Sequence, residues 1–385
     1  MQQDSPESVR FIHTADWQLG ATRWFLDDDA RARWTASRFD AIRRIGQLAG
    51  EENCEFVVVA GDVFESNQVD RRTVLRACEA LEAIHVPVFL LPGNHDPLDA
   101  GTVFESGTWL SNKPEHVHVL SDPNTPHEVR PGVEVIGAPW FSKRPLGDLV
   151  ADGFSSLTPQ PDGVRVMVAH GATDELSPDR DNPALIIVKQ AEAALASGRA
   201  HYLALGDRHS VTDIGSSGRI WYSGTPEVYA FAEVDPGHAL LVNIDPIDCD
   251  VKPLDVGSWN FTRGEFDIQG EADINAVEEF LQAVENKEQT VVRLALVGTV
   301  SLRDHARLVE IVERFDDLFA GVHESGSRSD LVVVPKEEDF SDLSVSGFAA
   351  AAVEKLRAAA DSGGPDGDKA RDALALFVRL AGTGQ

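Results

Sequence analysis

The sequence predicts an α/β protein built on parallel β-strands. Two apolar runs of strand length, residues 55–60 and 86–91, alternate with segments at helical spacing, residues 30–49 and 70–84. Strands that are buried on both faces read as continuous apolar runs, and the strand–helix–strand order places consecutive strands side by side in one direction. Each run ends abruptly in glycine and polar residues, which is typical of a sheet whose chemistry lies in the loops after its strands.

Length and composition allow a large core. The chain has 385 residues, enough for two domains and an appendage, and 43% of them are hydrophobic, which excludes global disorder. No run reaches the roughly 18 apolar residues of a membrane span, and residues 1–6 lack the features of a secretory signal. We therefore expect a cytoplasmic protein with no membrane association. Cys54, Cys78 and Cys249 lie far apart and are expected to be small buried side chains, not disulfides or zinc ligands.

The charge is strongly acidic. With 34 basic and 63 acidic residues, the formal net charge is -29. This argues against broad nonspecific attraction to nucleic acid. It leaves open a local basic groove, or a site at which bound cations supply the positive charge themselves.

The first 257 residues are expected to form one domain. Residues 8–16 form its first strand, the runs and helices named above follow, and shorter strands lie at residues 116–120 and 133–137. A buried strand at residues 164–171 leads to a helix at residues 183–197. Further strands follow residues 201 and 220, and residues 238–244 and 250–254 form a closing antiparallel pair.

The composition changes after Gly257. Residues 258–337 alternate strand and helix again and predict a small α+β domain, with helices at 272–286 and 303–318 and strands at 260–268, 290–296 and 319–323, the last of which either ends there or continues near 331–334. Residues 338–385 predict two amphipathic helices joined by the helix-breaking segment 362–368. This hairpin either packs on its own protein or docks on a helix of a partner.

Five predicted strands end in side chains that can bind metal ions. A glycine and an aspartate after a strand can also be a simple turn, and a lone Asp-x-Gln is a weak signal. Five such ends in one strand–helix array are hard to produce from turns alone, because the carboxyl ends of parallel strands meet at one edge. The five ends carry Asp16 with Gln18, Asp62, Asn94 with His95, His170, and Asp207 with His209.

The candidate ligands are oxygen and imidazole donors without a thiolate. Such a set suits Mn²⁺, Mg²⁺ or Fe²⁺ better than structural zinc. A carboxylate such as Asp62 can bridge two cations, and a pair of cations can polarise a phosphoryl group and activate water. His95 is set apart as a proton donor.

Several short segments resemble the motifs of a known family. Residues 13–20, 61–64, 93–96, 170–171 and 206–209 follow the order of the calcineurin-like metallophosphoesterases, and residues 222–227 are similar to the SbcD-type DNA-repair exonucleases. The resemblance implies a four-layer α/β sandwich, a small capping domain and a C-terminal helical segment. It also implies a metal-dependent exonuclease of DNA repair and recombination that acts on DNA with an SMC-type coiled-coil ATPase similar to SbcC. A homodimer is left open.

The resemblance also implies a role for each candidate. His95 would protonate the leaving oxygen, and Asp96 would orient His95. Arg208 would either contact phosphate or lie on the surface. Two cations, Mn²⁺ foremost, would be held by Asp16, Gln18, Asp62 and His209, and by Asp62, Asn94, His170 and Asp207.

Two positions depart from the family pattern. Gln18 stands where the family has histidine, and Asp207 stands where it has the first histidine of Gly-His-x-His. An amide oxygen binds cations more weakly than imidazole, whereas a carboxylate adds negative charge that favours hard cations. Two alternatives therefore stand beside the exonuclease: a phosphodiesterase for small substrates, favoured by the acidic composition, and a catalytically weak scaffold or DNA-end-binding subunit.

Overall fold

The computed structural model describes residues 8–334 and 348–360, with the short stretches 365–367, 369–370, 373–374 and 376–377. The chain divides into two compact units. The first comprises Met1–Trp24 and Arg31–Trp259, and the second comprises Phe25–Ala30 and Asn260–Gln385. The expected division at residues 257 and 337 into three domains stays a prediction. In the described ranges, none of the helices combines the length and apolar character needed to cross a bilayer.

Strands and helices alternate through the first unit. Short 3-10 turns aside, its elements are β1 Val9–Thr14, α1 Asp28–Glu51, β2 Phe56–Val59, α2 Arg71–Leu81, β3 Val88–Leu90, α3 Gly107–Asn112, β4 Val117–Val119, β5 His127–Arg130, β6 Val133–Ala138, α4 Leu149–Ser156, β7 Val164–His170, α5 Val188–Ala196, β8 Tyr202–Gly206, β9 Thr212–Ile214, β10 Ile220–Tyr222, β11 His238–Ile244 and β12 Cys249–Asp255.

These strands form two six-stranded sheets, ordered β12-β11-β1-β2-β3-β4 and β5-β6-β7-β8-β10-β9. Phe11 and Val58 of the first sheet share a buried cluster with Val166 and Tyr202 of the second, so the two sheets pack face to face. A second cluster joins α1 and α2 to the outer face of the first sheet, and a third joins α4 and α5 to the outer face of the second. The unit is a four-layer α/β sandwich, as predicted.

The local sequence explains where the helices begin. The Asp70 carboxylate accepts a hydrogen bond from Thr73 N at 2.7 Å and caps α2, and Asp148 caps α4 in the same way. The prediction that a helix starts at residue 183 is wrong. Ile186 is extended and exchanges backbone hydrogen bonds with residues 172 and 174, so α5 begins only at Val188.

The second unit contains a parallel sheet covered on one face by helices. The sheet order is β13-β14-β15, and β16 pairs with the far end of β14, so the predicted last strand is two separate strands. Alternate residues of β13 and β14 pack under α6 and α7. The elements are β13 Asn260–Ile268, α6 Glu271–Ala283, β14 Thr290–Val300, α7 Leu302–Asp316, β15 Gly321–Glu324, β16 Asp330–Val333 and α8 Phe348–Ala360.

The C-terminal segment packs on its own unit through the face that the sequence predicted to be apolar. Val353 of α8 and Leu374 are buried in one cluster with Leu302 and Ala306 of α7. Residues 365–367, predicted to lie in a loop, are helical, because proline is well tolerated in the first turn of a helix. Other predicted positions of the hairpin, Val345, Val378 and Ala381 among them, lie outside the described residues.

Candidate metal centre

Parallel pairing brings the predicted ligands to one edge of the sandwich. In the first sheet β1, β2 and β3 run parallel, and the loops after them carry Asp16, Asp62 and Asn94. In the second sheet His170 is the last residue of β7, paired with Gly206 of β8, and Asp207 follows directly. The candidates therefore come from distant parts of the chain to adjoining strand ends.

Asp16, Asp62 and His170 form the centre of the cluster. Each offers a ligand atom, and these atoms all lie within 4.8 Å of one another. All three residues are buried, and His170 Nε2 lies 3.5 Å from Asp62 Oδ1. Two carboxylates and an imidazole buried at this separation form a donor set for a divalent cation.

The two oxygens of Asp62 face different neighbours. Oδ1 accepts a hydrogen bond from His95 N at 2.9 Å, and Oδ2 accepts one from Gln18 Nε2 at 2.9 Å. The carboxylate thus lies between the loops after β1 and β3, which is the placement that a bridging ligand requires.

Gln18 provides the test of whether a cation fits. Its amide nitrogen donates to Asp62, but its buried carbonyl oxygen Oε1 has no hydrogen-bond partner among the described residues. A buried oxygen without a partner is unfavourable by roughly 1–3 kcal/mol. Since this oxygen is the atom through which an amide binds a hard cation, the departure from histidine leaves a usable donor at this position.

Asn94 and His170 are directly in contact. Asn94 Oδ1 lies 2.6 Å from His170 Nε2, while His170 Nδ1 lies 2.9 Å from the Ala60 carbonyl oxygen. Both ring nitrogens face oxygen acceptors, an arrangement that favours the doubly protonated ring. A cation at Nε2 would replace one of these protons, which makes metal binding sensitive to pH.

Asp207 and His209 complete the second-sheet side of the centre. The Asp207 backbone N–H donates to both oxygens of Asp16, at 3.2 and 3.1 Å, and Asp207 Oδ1 lies 3.8 Å from His170 Nε2. His209 Nε2 lies 4.0 Å from Asp16 Oδ1. The carboxylate that replaces the family histidine therefore faces the same cluster.

The backbone at the ligands has unusual conformations. Asp16, Gln18, Asp62 and Asp207 have positive φ angles of 54°, 48°, 54° and 100°. Non-glycine residues adopt this region rarely, and strained backbone clusters at functional sites. The loops after β1 and β2 hold each other there, since Gln18 N donates to Asp62 O at 2.9 Å and Leu19 N to Val63 O at 3.0 Å.

Two glycines let the strand ends approach His170. A Cβ atom on Gly61 would lie 2.2 Å from His170 Nδ1, and one on Gly206 would lie 1.9 Å from the Ala60 carbonyl oxygen. Any larger residue at these positions would push the ring away from the two carboxylates.

The pKa values of Asp16 and His170 are both raised, but for different reasons. Burial raises the pKa of Asp16 to about 7, since the lowering by His209 and His170 and the raising by Asp62 and Asp207 are smaller effects. Burial alone would lower the pKa of His170, but the surrounding carboxylates raise it to about 9. The centre therefore holds protons where a cation would otherwise supply the positive charge.

His95 and Asp96 have separate functions in the loop after β3. His95 Nδ1 lies 2.9 Å from the Glu65 carbonyl oxygen, which directs Nε2 to 3.9 Å from Asp62 Oδ2. Both oxygens of the buried Asp96 are occupied by backbone N–H groups, of Gly93 at 2.8 Å and Phe64 at 2.9 Å. Asp96 thus stabilises the loop after β3. The His95 ring, which Asp96 was expected to orient, is instead held by the Glu65 carbonyl oxygen.

Arg208 is exposed, and its Nε donates to Thr212 Oγ1 at 2.7 Å. This contact draws the guanidinium along its own loop toward β9. The structure gives the side chain no contact with the cluster.

Sequence reasoning missed three residues that support the centre. Glu233 Oε1 lies 2.6 Å from His209 Nδ1, and its Oε2 accepts from Tyr229 N at 2.8 Å. The ring of Tyr229 meets that of His209 edge-on at 5.1 Å, and its hydroxyl donates to the Glu65 carboxylate. These residues thus link His209 to the loop that holds His95. For Tyr229 and Glu233 the available signal was their position shortly after the segment 222–227, and Glu65 follows the segment 61–64 directly.

A family model described as calcineurin-like phosphoesterase matches residues 9–243, which is more than half of the chain. The chain belongs to this family. It is a metal-dependent phosphoesterase with a buried Asp-Asp-His cluster for divalent cations. The predictions of the family, the fold class and this kind of enzyme are confirmed.

Similar proteins include nuclease subunits. The chain is 25% identical over 285 residues to the SbcD subunit of nuclease SbcCD from Bacillus subtilis (strain 168), which covers 65% of this chain and 68% of that protein. It is 36% identical over 92 residues to the DNA double-strand break repair protein Mre11 of Archaeoglobus fulgidus, covering 23% of this chain and 19% of that protein. A solved structure from Danio rerio, a dimetal phosphatase, is 10% identical with a TM-score of 0.38 and covers 63% of this chain and 98% of that chain.

Proposed function

We propose that the chain hydrolyses phosphodiester bonds of DNA as the nuclease subunit of a repair complex. The observation that carries this proposal is the convergence of Asp16, Asp62 and His170 within 4.8 Å at the strand ends of a phosphoesterase fold. The names of the similar proteins, a nuclease subunit and a double-strand break repair protein, support DNA as the substrate.

The geometry supports two cation positions that share Asp62. The oxygen and imidazole donors favour Mn²⁺, with Mg²⁺ or Fe²⁺ as alternatives. When bound, a pair of such cations polarises the phosphoryl group and neutralises the charge that develops on its oxygens. The residues that would hold the first cation are Asp16, Gln18, Asp62 and His209, and those for the second are Asp62, Asn94, His170 and Asp207.

In this proposal His95 protonates the leaving oxygen. Its Nδ1 is held by the Glu65 carbonyl oxygen, and the side chain is 38% exposed, so Nε2 is free to meet a substrate at the edge of the cluster. A proton donor must lie near the scissile bond and off the cations, and the exposed position of His95 beside Asp62 supports this role.

A hydrolysis assay with three substrates tests the proposal. The full chain with Mn²⁺ is incubated with single-stranded DNA, double-stranded DNA and a small aryl phosphodiester. We expect DNA to be cut, and we expect Asn94→Ala and His95→Ala to remove that activity. Turnover of the aryl diester alone would reject DNA as the substrate.

A small-substrate phosphodiesterase is the second candidate, because the net charge of -29 disfavours approach of a polyanion. The assay with three substrates distinguishes this candidate from a DNA nuclease. Mn²⁺-dependent DNA binding without turnover of any substrate would favour the third candidate, a scaffold or end-binding subunit in which Gln18 and Asp207 weaken catalysis.

We further propose a coiled-coil ATPase similar to SbcC as the partner, since the Bacillus subtilis relative is named as a subunit of nuclease SbcCD. Deletion of residues 338–385 would also uncover Leu302 and Ala306 of α7, so it cannot report on the partner alone. The sharper test changes exposed positions of the segment, Lys355→Glu with Leu376→Glu. We expect loss of co-purification with the ATPase and unchanged diester hydrolysis. Undiminished association would reject docking through these positions.

A further inference from the structure

The loop after β6, residues 139–147, lies next to the metal centre. β6 runs parallel to β7, with Ala138 paired to Ala169, so this loop leaves the sheet at the edge where His170 lies. Trp140 Nε1 donates to the His170 carbonyl oxygen at 2.8 Å, and the two rings meet edge-on at 6.1 Å. The loop therefore begins in direct contact with a candidate metal ligand.

Further hydrogen bonds hold both ends of the loop. The Trp140 N–H donates to the Pro92 carbonyl oxygen at 3.2 Å, and the Trp140 carbonyl oxygen accepts from Leu98 N at 2.8 Å. These two bonds attach the loop to both sides of the loop after β3. At the other end, Asp148 Oδ1 caps α4, and Asp148 Oδ2 accepts from Ile187 N at 3.0 Å. The middle of the loop is thus held at the edge of the metal centre.

The middle of the loop exposes two apolar and two basic side chains. Phe141 is 49% exposed and Leu146 is 93% exposed. Lys143 and Arg144 lie between them, are exposed, and form no ion pair with any other described residue. Residues 139–147 include no acidic residue, although the net charge of the chain is -29. The loop therefore supplies local positive charge beside the metal centre.

This combination of groups fits a single strand of nucleic acid. An exposed aromatic ring can stack on an unpaired base, and lysine and arginine can contact the phosphates of the same strand. Bases within a duplex are already stacked on one another, so they offer no free face to such a ring. Local positive charge also offsets the repulsion that an acidic protein exerts on a polyanion.

The position of these side chains favours a strand over a small diester. Phe141 follows Trp140 directly, and the Cα atoms of Lys143 and Arg144 lie within about 14 Å of that of Trp140, the longest span of four residues. A small diester has one phosphate, which the cations would hold. A strand has further phosphates and bases on either side of the cleaved bond, within reach of the loop.

We propose that Phe141, Lys143 and Arg144 bind the DNA strand that enters the metal centre. The Phe141 ring stacks on an unpaired base, and the two basic side chains contact phosphates near the cleaved bond. This inference rests on the proposed function and deepens it, because it names the part of the chain that distinguishes a single strand from a small diester.

Fluorescence anisotropy of the full chain with a labelled single-stranded oligothymidylate tests the stacking. EDTA is present, so that the strand is not cut. Phe141→Ala should weaken binding about 5- to 100-fold, the usual effect of removing one stacked ring. Phe141→Tyr keeps a ring and should bind as the wild type does, whereas Phe141→Leu keeps only an apolar side chain and should bind as weakly as Phe141→Ala. Equal binding by Phe141→Ala and the wild type would overturn the proposal.

The salt dependence of the same binding tests the phosphate contacts. Lys143→Gln with Arg144→Gln should lower the log–log slope of affinity against salt by about 1.4, since two phosphate contacts are lost. The matched control is Arg44→Gln with Lys252→Gln, which removes two exposed positive charges of α1 and β12 and should keep the wild-type slope. An unchanged slope in the loop variant, or an equal change in the control, would overturn the proposal.

Hydrolysis with Mn²⁺ distinguishes this inference from the proposed function. In Phe141→Ala, the ratio of kcat/KM for the oligothymidylate to that for the aryl diester should fall by the factor seen in binding. Ile247→Ala should keep the wild-type ratio, because Ile247 is exposed in the turn between β11 and β12, beside the start of β1 and at the opposite edge of the first sheet.

The remaining outcomes are separable. An equal fall of kcat/KM for both substrates would show that the loop supports the metal centre itself, and it would overturn this inference. If the wild type neither binds nor cuts DNA, the proposed function fails and this inference fails with it. If the wild type cuts DNA and the loop variants behave as their controls do, this inference alone fails.

Discussion

The metal centre of the first unit and the sheet face of the second unit that carries Arg263 and Arg293 both bring like charges near each other, but with opposite sign. In the metal centre, burial raises the pKa of Asp16 to about 7, beside a second buried carboxylate. On the sheet face, burial and then the neighbouring Arg263 lower the pKa of Arg293, whose guanidinium also lies over the Phe25 ring. The two regions differ in their neighbours: the carboxylates converge with a histidine into a donor set for a divalent cation, whereas the arginine has an aromatic partner within its own unit.

The two regions also differ in how the backbone presents them. The candidate metal ligands follow the ends of parallel strands, several of them in loops with positive φ angles, whereas the arginines lie within regular strands. Strand-end loops converge on one point and can surround an ion. A sheet face offers only a flat row of side chains.

Removal of the shared carboxylate should have the largest effect. In Asp62→Asn the central ligand loses its charge, and hydrolysis of the aryl diester with Mn²⁺ should fall by at least about 10⁴-fold, since bound cations contribute several kcal/mol to such reactions. Calorimetric titration should show weaker Mn²⁺ binding. Asp122→Asn, an exposed turn residue, is the matched control. Activity of Asp62→Asn within tenfold of the wild type would contradict the assignment.

Loss of the proton donor should leave the cations in place. In His95→Gln, kcat should fall by about 10²–10³-fold, the usual contribution of a general acid, while Mn²⁺ affinity changes little. The control is His116→Gln, whose ring contacts the Leu81 carbonyl oxygen on the helical side. An equal loss of Mn²⁺ binding would instead make His95 a ligand.

Glu233 should act through His209. Removing its charge in Glu233→Gln weakens the support of the ring that faces Asp16, and the expected loss of Mn²⁺ affinity is about 10–100-fold. Electron paramagnetic resonance of free Mn²⁺ measures this without catalysis. Glu134→Gln, which pairs with Arg165, should bind Mn²⁺ as the wild type does. Equal affinity of the two variants would show that Glu233 does not support the centre.

The smallest expected effect concerns two buried histidines, His13 and His170, whose pKa values are shifted in opposite directions. Burial lowers the pKa of His13 to about 3, against the hydrogen bond that its ring donates to the Leu205 carbonyl oxygen, whereas carboxylates raise that of His170 to about 9. A lowered histidine pKa stabilises the fold above pH 6.5, and this contribution is lost as pH falls toward 3.

His13→Gln should change how steeply the free energy of unfolding depends on pH. Below pH 6.5 this free energy should fall less steeply with falling pH in the variant than in the wild type, and the two slopes should differ by up to about 1.4 kcal/mol per pH unit. Urea unfolding at several pH values measures it. Parallel stability curves for wild type and variant would mean that the pKa of His13 is the same in the folded and unfolded protein.

The convergence of the strand-end side chains was predictable because polar residues directly after apolar runs share one edge of a parallel sheet. Gln18 and Asp207 face the cluster as their positions implied, since the backbone places them regardless of side-chain type. The four layers came from the family resemblance, because periodicity alone does not show that two sheets pack face to face.

The remaining features depend on contacts that no local pattern carries. Glu233 and Glu65 act through partners far away in sequence. The pairing of Arg263 with Arg293 depends on the register between β13 and β14, which sequence alternation does not fix. The late start of α5 follows from backbone bonds between residue 186 and residues 172 and 174.

Anomalous scattering from a crystal soaked in Mn²⁺ would show whether Asp62 joins two cation positions. We expect two peaks beside Asp62, one in reach of Asp16 and the other in reach of His170. The absence of any peak within coordination distance of Asp62 would overturn the assignment of the metal centre.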